Sequence, residues 1–254
     1  PNDAADYPSH EELLRYFQAY TDHFDLEKNI KFNTEVIHCS QEENDKWKIK
    51  WKSLKANEVK TEIFDALVVC NGHHHEPRFP KYAGNFSGDY LHSHQYKKAS
   101  PFKDKKVLVI GGGNSACDVA VETARISKTT AISWRRGYYL IPKFMFGLTS
   151  DIFALKARWL PRFLRLSFMR FMLEFIQGKN EDIGLPKVTN HILATHPTVN
   201  SDLYNAVRHG KVKPKCDVER FEGKTVYFQD GSHEEFDAVI AVSYTHLRAH
   251  ETPI

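Results

Sequence analysis

Apolar positions change their period along the chain, and each change marks an element. Leu13, Phe17, Tyr20 and Phe24 recur at near-helical spacing, and Ser9-His10-Glu11-Glu12 ahead of them has capping-box spacing. This predicts a helix starting at Ser9 with one buried face. Two runs with β character follow, at 32–38 and 47–51; in the second, Trp47, Ile49 and Trp51 alternate with lysines, the period of a half-buried strand. They predict an antiparallel ribbon. Next, Ala66-Leu67-Val68-Val69-Cys70 is apolar throughout and stops at Asn71-Gly72. That pattern predicts a parallel-sheet strand covered on both faces and closed by a tight turn.

The most informative stretch runs from 107 to 124. Val107-Leu108-Val109-Ile110 leads straight into Gly111-Gly112-Gly113-Asn114-Ser115-Ala116, and Ala116, Val119, Ala120, Thr123 and Ala124 then carry a helical period. A strand, a G-x-G-x-x-A turn and a helix in that order form the context a dinucleotide-binding loop requires, which a bare glycine turn does not explain. Gly111 permits the sharp turn and Gly113 lets backbone approach a pyrophosphate, while helix N–H groups supply donors and partial positive charge. Asn114 and Ser115 are expected to cap the helix and touch phosphate. Ala116, where many NAD loops carry a third glycine, points weakly to NADP. The following strand, 131–134, ends in Arg135-Arg136, about twenty residues beyond the glycines, where an NAD site places an acid. Two guanidinium groups there can grip a 2′-phosphate, so NADPH is expected over NADH.

The run Phe64-Asp65-Ala66-Leu67-Val68-Val69-Cys70 is echoed by Phe236-Asp237-Ala238-Val239-Ile240-Ala241-Val242. Before the second copy, Thr225-Val226-Tyr227-Phe228 and the turn Asp230-Gly231 predict a hairpin that matches the ribbon before the first. Two similar folding units are implied. Residues 153–176 are rich in Phe, Leu and Arg; their charges are too frequent for a membrane span, and Pro161 favours two shorter helices with proline near the start of the second. Buried packing against a neighbouring domain is preferred there over contact with a membrane surface.

Composition narrows the classes. The 254 residues are 41% hydrophobic and 26% charged, values of a globular chain, and a net charge of +3 spread among both signs gives no footprint for nucleic acid. Cys39, Cys70, Cys117 and Cys216 show no C-x-x-C or metal-ligand spacing, which fits a reducing, cytoplasmic setting and weighs against a disulfide reductase. His73-His74-His75 cannot easily converge on one ion, so no metal is expected. The chain opens at Pro1 without a methionine or a signal-peptide pattern, and is expected to begin partway through something longer.

At 86–96, Phe86-Ser87-Gly88-Asp89-Tyr90-Leu91-His92-Ser93-His94-Gln95-Tyr96 fits F-x-G-x-x-x-H-x-x-x-Y, the identifying motif of the flavin-containing monooxygenases. Cys70-Asn71-Gly72-His73 resembles that family's turn where the chain crosses between its nucleotide domains, residues 111–116 resemble its second glycine loop, and 196–202 also look like the family. The resemblance covers about 7–242. It implies an α/β fold of paired Rossmann-like dinucleotide-binding domains: a partial FAD-binding domain with β-ribbon at 1–100, an NADPH-binding domain with a helical insertion at 101–210, and a return to the FAD domain at 211–242. Phe86, Gly88, His92 and Tyr96 are the motif positions; His92 and Tyr96 can equally serve as packing residues. Tyr96, where the related Baeyer–Villiger enzymes carry Trp, favours the branch that oxidises nitrogen and sulfur, with N,N-dimethylaniline monooxygenase activity as its type reaction.

What the resemblance implies for an intact enzyme is hydride transfer from NADPH to FAD, reaction with O2, and oxygenation of a small soft nucleophile through a peroxyflavin. It leaves a homodimer open. Family members place an FAD glycine loop and the active-site asparagine ahead of the segment seen here, so this chain is expected to bind FAD incompletely and to be inactive alone. No catalytic side chain is assigned. Residues 243–254 carry no glycine turn or apolar period and resemble translated sequencing adapter, so a non-native tail is expected. Another NADPH-dependent flavoprotein reductase and a non-catalytic NADPH-binding module are the competing readings.

Overall fold

The structure is a computed structural model that describes residues 5–72, 77–192 and 198–242. It divides at Gly72 into two compact units. The expectations placed on the histidine run at 73–75, on His196 and Pro197 and on the tail lie outside the described residues.

In the first unit a helix, α1 (His10–His23), precedes an antiparallel meander of β1 (Thr34–Gln41), β2 (Trp47–Ser53) and β3 (Val59–Phe64). The expected capping box forms: the Glu12 N–H donates to Ser9 Oγ at 3.2 Å, and the Ser9 N–H donates to the Glu12 carboxylate at 2.7 Å. Asp45 and Asn57, at φ 60° and 54°, take the left-handed turn positions that short polar side chains tolerate. The ribbon forms between β1 and β2, and β3 extends it into a third strand that the alternation did not single out.

Two expectations fail in this unit. Leu13, Phe17, Tyr20 and Phe24 do share a helical face, yet all four are exposed, and no described residue of the unit is buried. Residues 66–70 are not a strand; Val68 and Val69 are 80% and 72% exposed. An apolar run becomes a strand only when neighbours satisfy its backbone, and among the described residues none pairs with this one.

The second unit contains, in chain order, β4 (Ala83–Phe86), β5 (Asp89–His92), β6 (Lys106–Ile110), α2 (Asn114–Thr123), β7 (Thr129–Ser133) and β8 (Leu140–Ile141). A small hairpin of β9 (Phe144–Met145) and β10 (Leu148–Thr149) then leads to α3 (Ser150–Lys156) and α4 (Arg162–Gln177). The unit closes with β11 (Thr198–Val199), α5 (Asp202–Arg208), β12 (Val212–Lys215), β13 (Val218–Gly223), β14 (Thr225–Phe228), β15 (His233–Glu235) and β16 (Ala238–Ala241).

Its main sheet has the order β12-β7-β6-β16-β5, and every pairing in it is parallel. Val107, Val109, Ala238 and Ile240 point to one face and pack with Ala116, Ala120, Leu203 and Val207 of α2 and α5. Leu108, Ile110 and Val239 point to the other and pack with Phe221, Val226 and Phe228 of the second sheet, ordered β15-β14-β13-β4, and with Phe236 just after β15. Both faces of β6 are therefore covered, which is why its sequence is apolar at every position. The expected hairpin joins β14 to β15, with the Gly231 N–H donating to the Phe228 carbonyl at 2.9 Å.

The divisions expected at 100/101 and 210/211 both fall inside this second unit. Tyr90 of β5 lies opposite Val239 of β16, and β16 sits directly against β6. Pro161 does cap α4, as its position suggested, so the region forms two helices. Only Met169 and Leu173 of α4 are buried; Trp159, Phe163, Phe171 and Phe175 are exposed, so the broad burial expected there reduces to one narrow stripe. No helix among the described residues is long and apolar enough to cross a membrane. All four cysteines are free, and burial pushes the Cys117 thiol up to about 12.

Candidate functional site: a glycine loop at a sheet switch point

The chain leaves β6 toward β7 and β12 on one side, and β16 later fills the other side of β6. Such a reversal opens a crevice outside the carboxyl ends of the two strands, where open α/β sheets hold their ligands. Residues 111–113 occupy that place. Gly111 has φ 144°, and a Cβ there would lie 2.7 Å from the Val242 carbonyl oxygen, so only glycine fits. Gly112 is covered by Tyr138: a Cβ would fall 2.3 Å from the ring. Gly113 differs from both. It is exposed, and a Cβ on it would meet nothing within 4 Å. The loop thus has a tight inner glycine and an open outer one, immediately at the start of α2.

Gly113 itself is the N-cap of α2, with no side chain closing the helix end. The capping expected of Asn114 and Ser115 is therefore corrected. Asn114 Oδ1 instead accepts from the Val199 N–H at 2.6 Å, and Ser115 is exposed. A glycine cap leaves the first N–H groups of the helix accessible to an anion, which a serine or asparagine cap would have satisfied internally. Ala116 is fully buried, its Cβ 3.2 Å from where one on Gly111 would stand.

Arg135 and Arg136 follow β7 after Trp134 and are both exposed, but they serve different surroundings. The Arg136 guanidinium lies 5.3 Å from the Tyr138 ring centroid, and its Nε donates to the Tyr138 hydroxyl at 3.3 Å. Since that ring rests on Gly112, Arg136 is tied to the glycine loop. Arg135 lies near Tyr82, whose pKa is raised by burial and by the Asp217 carboxylate, with Arg135 opposing that rise. Trp134, fully buried, meets Tyr138 edge-on and anchors the turn that carries both arginines.

The remaining candidates belong to other segments of the chain. Cys70, Asn71 and Gly72 are exposed at the end of the first unit, and His73 lies outside the described residues. In the family motif, Phe86 packs on Tyr90 and Phe221, and a Cβ on Gly88 would clash with the Asp237 carbonyl at 2.5 Å. His92 is fully buried; its Nδ1 accepts from the His94 N–H at 3.1 Å, and its own N–H donates to Gln95. Tyr96 stacks on Phe102, and its hydroxyl is 3.4 Å from Thr123 Oγ1 at the end of α2; burial pushes it up to about 12. These contacts support the packing role for His92 and Tyr96, holding the β5 edge and its turn against α2.

Among the described residues no three His, Cys, Asp or Glu side chains converge as a metal site. A surface cavity of about 160 Å³, lined by Tyr139, Arg170, Glu174, Lys179 and Asn180 among others, shares no residue with the glycine loop. Its mixed charges and position make the open loop the better candidate. Three residues around that loop were not singled out from sequence: Tyr138, Thr198 and Asn200. The only signal was their place, two residues past the arginine pair and within the stretch resembling the family at 196–202.

Comparison with known proteins agrees with this geometry. The flavin-binding monooxygenase-like family model matches residues 1–248. The chain is 33% identical over 248 residues to a 4-hydroxybenzoate brominase (decarboxylating) of Marinomonas mediterranea, covering 91% of this chain and 48% of that protein. It is 34% identical over 254 residues to flavin-containing monooxygenase 5 of Cavia porcellus, covering 94% and 47%. Among solved structures, oxidised steroid monooxygenase bound to NADP superposes with a TM-score of 0.70 at 17% identity, over 94% of this chain and 57% of that one. S-allyl-L-cysteine S-oxygenase from Allium sativum gives 0.61 at 24%, over 96% and 43%. The chain spans about half the length of the curated relatives it matches. With the motif, the glycine loop and the parallel sheet all in agreement, the chain belongs to the flavin-binding monooxygenase-like family.

Proposed function

We propose that this chain is the NADPH-binding part of an FAD-dependent monooxygenase, which uses NADPH and O2 to oxygenate a small substrate at a soft nitrogen or sulfur. The observation that carries the reading is Gly113, an open glycine capping α2 at the sheet's switch point. The pyrophosphate would lie against the N–H groups of 113–115, where the helix end supplies partial positive charge. Arg136, steadied by Tyr138, would hold the 2′-phosphate, with Arg135 adding charge from the far side of the turn. When bound, NADPH supplies the hydride that the flavin needs. The chain's own part is to fix the nucleotide's phosphate end so that the nicotinamide end projects in one direction.

For FAD the fit is different. The described residues contain no second glycine loop at a helix start, and Cys70, Asn71 and Gly72 alone do not make a pyrophosphate site. The similarity to a decarboxylating brominase favours a second reading, in which an intact enzyme oxidises halide rather than an amine or sulfide.

Equilibrium titration of the 254-residue chain tests the nucleotide site. NADPH should bind more tightly than NADH, and no NADPH oxidation should follow when a tertiary amine, a thioether or bromide is added. Arg136→Ala should weaken NADPH by about tenfold or more, the loss of a charge-assisted phosphate contact, and leave NADH nearly unchanged. Equal affinities for the two nucleotides would remove the role given to the arginines.

A further inference from the structure

Residues 198–200 run across the glycine loop and the first turns of α2 and are hydrogen-bonded to both. Thr198 and Val199 form β11, which pairs in parallel with β8, just beyond the arginine turn. Thr198 is 2% exposed, and its hydroxyl donates to the Gly112 carbonyl at 3.2 Å. Val199 donates its N–H to Asn114 Oδ1 at 2.6 Å. Asn200 is 1% exposed; its Nδ2 donates to Asp118 Oδ1 at 2.7 Å, and its Oδ1 accepts from the Leu203 N–H at 2.7 Å. Asn114 and Asp118 stand four apart on α2 and so share one face, along which 198–200 runs as a strap.

The bond to Gly112 has a geometric consequence. Every peptide among the described residues is trans, so the Gly112 carbonyl and the Gly113 N–H point in opposite directions from one plane. Fixing the carbonyl on Thr198 turns the Gly113 N–H away from the strap. A glycine flanked by glycines has little preference of its own for that peptide orientation. If the peptide flipped, a carbonyl dipole would face the anion in place of a donor.

We propose that Thr198 is a positioning residue for dinucleotide binding: its buried hydroxyl holds the Gly112–Gly113 peptide with the N–H presented to the pyrophosphate, and Asn114 and Asn200 hold the strap on α2. The proposal rests on the NADPH reading above and deepens it. It assigns Thr198 to the part common to NADPH and NADH, whereas Arg136 serves only the 2′-phosphate.

The test compares Thr198→Val, which keeps the shape and removes the hydroxyl, with Thr198→Ser, which keeps the hydroxyl. In the full chain, Thr198→Val should weaken NADPH and NADH by the same factor, about tenfold, and Thr198→Ser should restore binding to near wild type. The amide ¹⁵N resonance of Gly113, which responds to hydrogen bonding at the preceding carbonyl, should shift in the valine variant and not in the serine variant, with no nucleotide present. Thr198→Ala repeats the comparison should the valine variant lose its fold. Equal losses in the valine and serine variants, or an unmoved resonance with unchanged affinity, would overturn the positioning role while leaving the NADPH site standing. A wild-type chain that binds neither nucleotide would overturn the functional reading and this role with it.

Discussion

At the residue scale, Gly111 and Gly113 are chemically identical and structurally opposite. Gly111 sits at φ 144° with a carbonyl 2.7 Å from any Cβ, so Gly111→Ala must strain the backbone and displace the end of β16. Gly113, at φ −85° and ψ 178°, has a backbone any residue adopts and no neighbour within 4 Å of a Cβ. Gly113→Ala should therefore fold with an unchanged Tm and, on the proposed reading, lose nucleotide affinity, because its methyl would stand in the approach proposed for the phosphate. Gly111→Ala should lower Tm by several degrees, the result of roughly 1–3 kcal/mol of strain. Thermal melts beside NADPH titrations separate the two.

Asp237 acts at the same scale but through charge. Its carboxylate accepts from the Lys106 N–H at 3.0 Å and from Lys224 Nζ at 3.1 Å, and the first of these bonds, aided by the second, holds its pKa below the usual carboxylate value. A depressed carboxylate stabilises the fold above its unfolded pKa, and that stability is lost as pH falls from the unfolded value through the folded one. Asp237→Asn should accordingly melt lower than wild type at pH 7, with the gap closing as pH drops below about 4. A gap of constant size across that range would show that the charge contributes nothing.

Among the elements, α4 shows how a helix can be apolar without being buried. Met169 and Leu173 pack with Ile141 and Ile192, while Phe171 and Phe175 on the neighbouring face stay exposed, Phe175 at 76%. Leu173→Ala should cost about 2–5 kcal/mol, the usual range for emptying a buried leucine site. Phe175→Ser should change stability by only about 0.5 kcal/mol, since it removes surface that water already reaches. Chemical denaturation of the two variants distinguishes them; similar large losses would mean that Phe175 is covered in solution. The phenylalanines alone read as a packed helix, because spacing tells which residues share a face and not whether another layer meets it.

The same limit, seen across the whole molecule, separates what was legible in the chain from what was not. Strand, glycine turn and helix at 106–123 could be read directly, since a parallel strand covered on both faces leaves a continuous apolar run and the turn needs glycine for steric reasons. The capping box at Ser9, the hairpin at 230–231 and the break at Pro161 were equally local, each set by atoms within a few residues. Residues 66–70 and 238–241 carry nearly the same apolar pattern, yet only the second forms a strand. Its difference is that β6 and β5 hydrogen-bond it from both sides.

By itself, the order of residues determined the glycine loop, the local caps and turns and the membership of a family, because these depend on steric and hydrogen-bonding demands that act within one short segment. Which apolar run joins the sheet, which of two adjacent arginines meets the loop, and that Thr198, 86 residues away, grips the Gly112 carbonyl were decided only in three dimensions. Those outcomes depend on partners distant in the chain, and a hydrogen-bonding group carries no mark in sequence of the partner it will find.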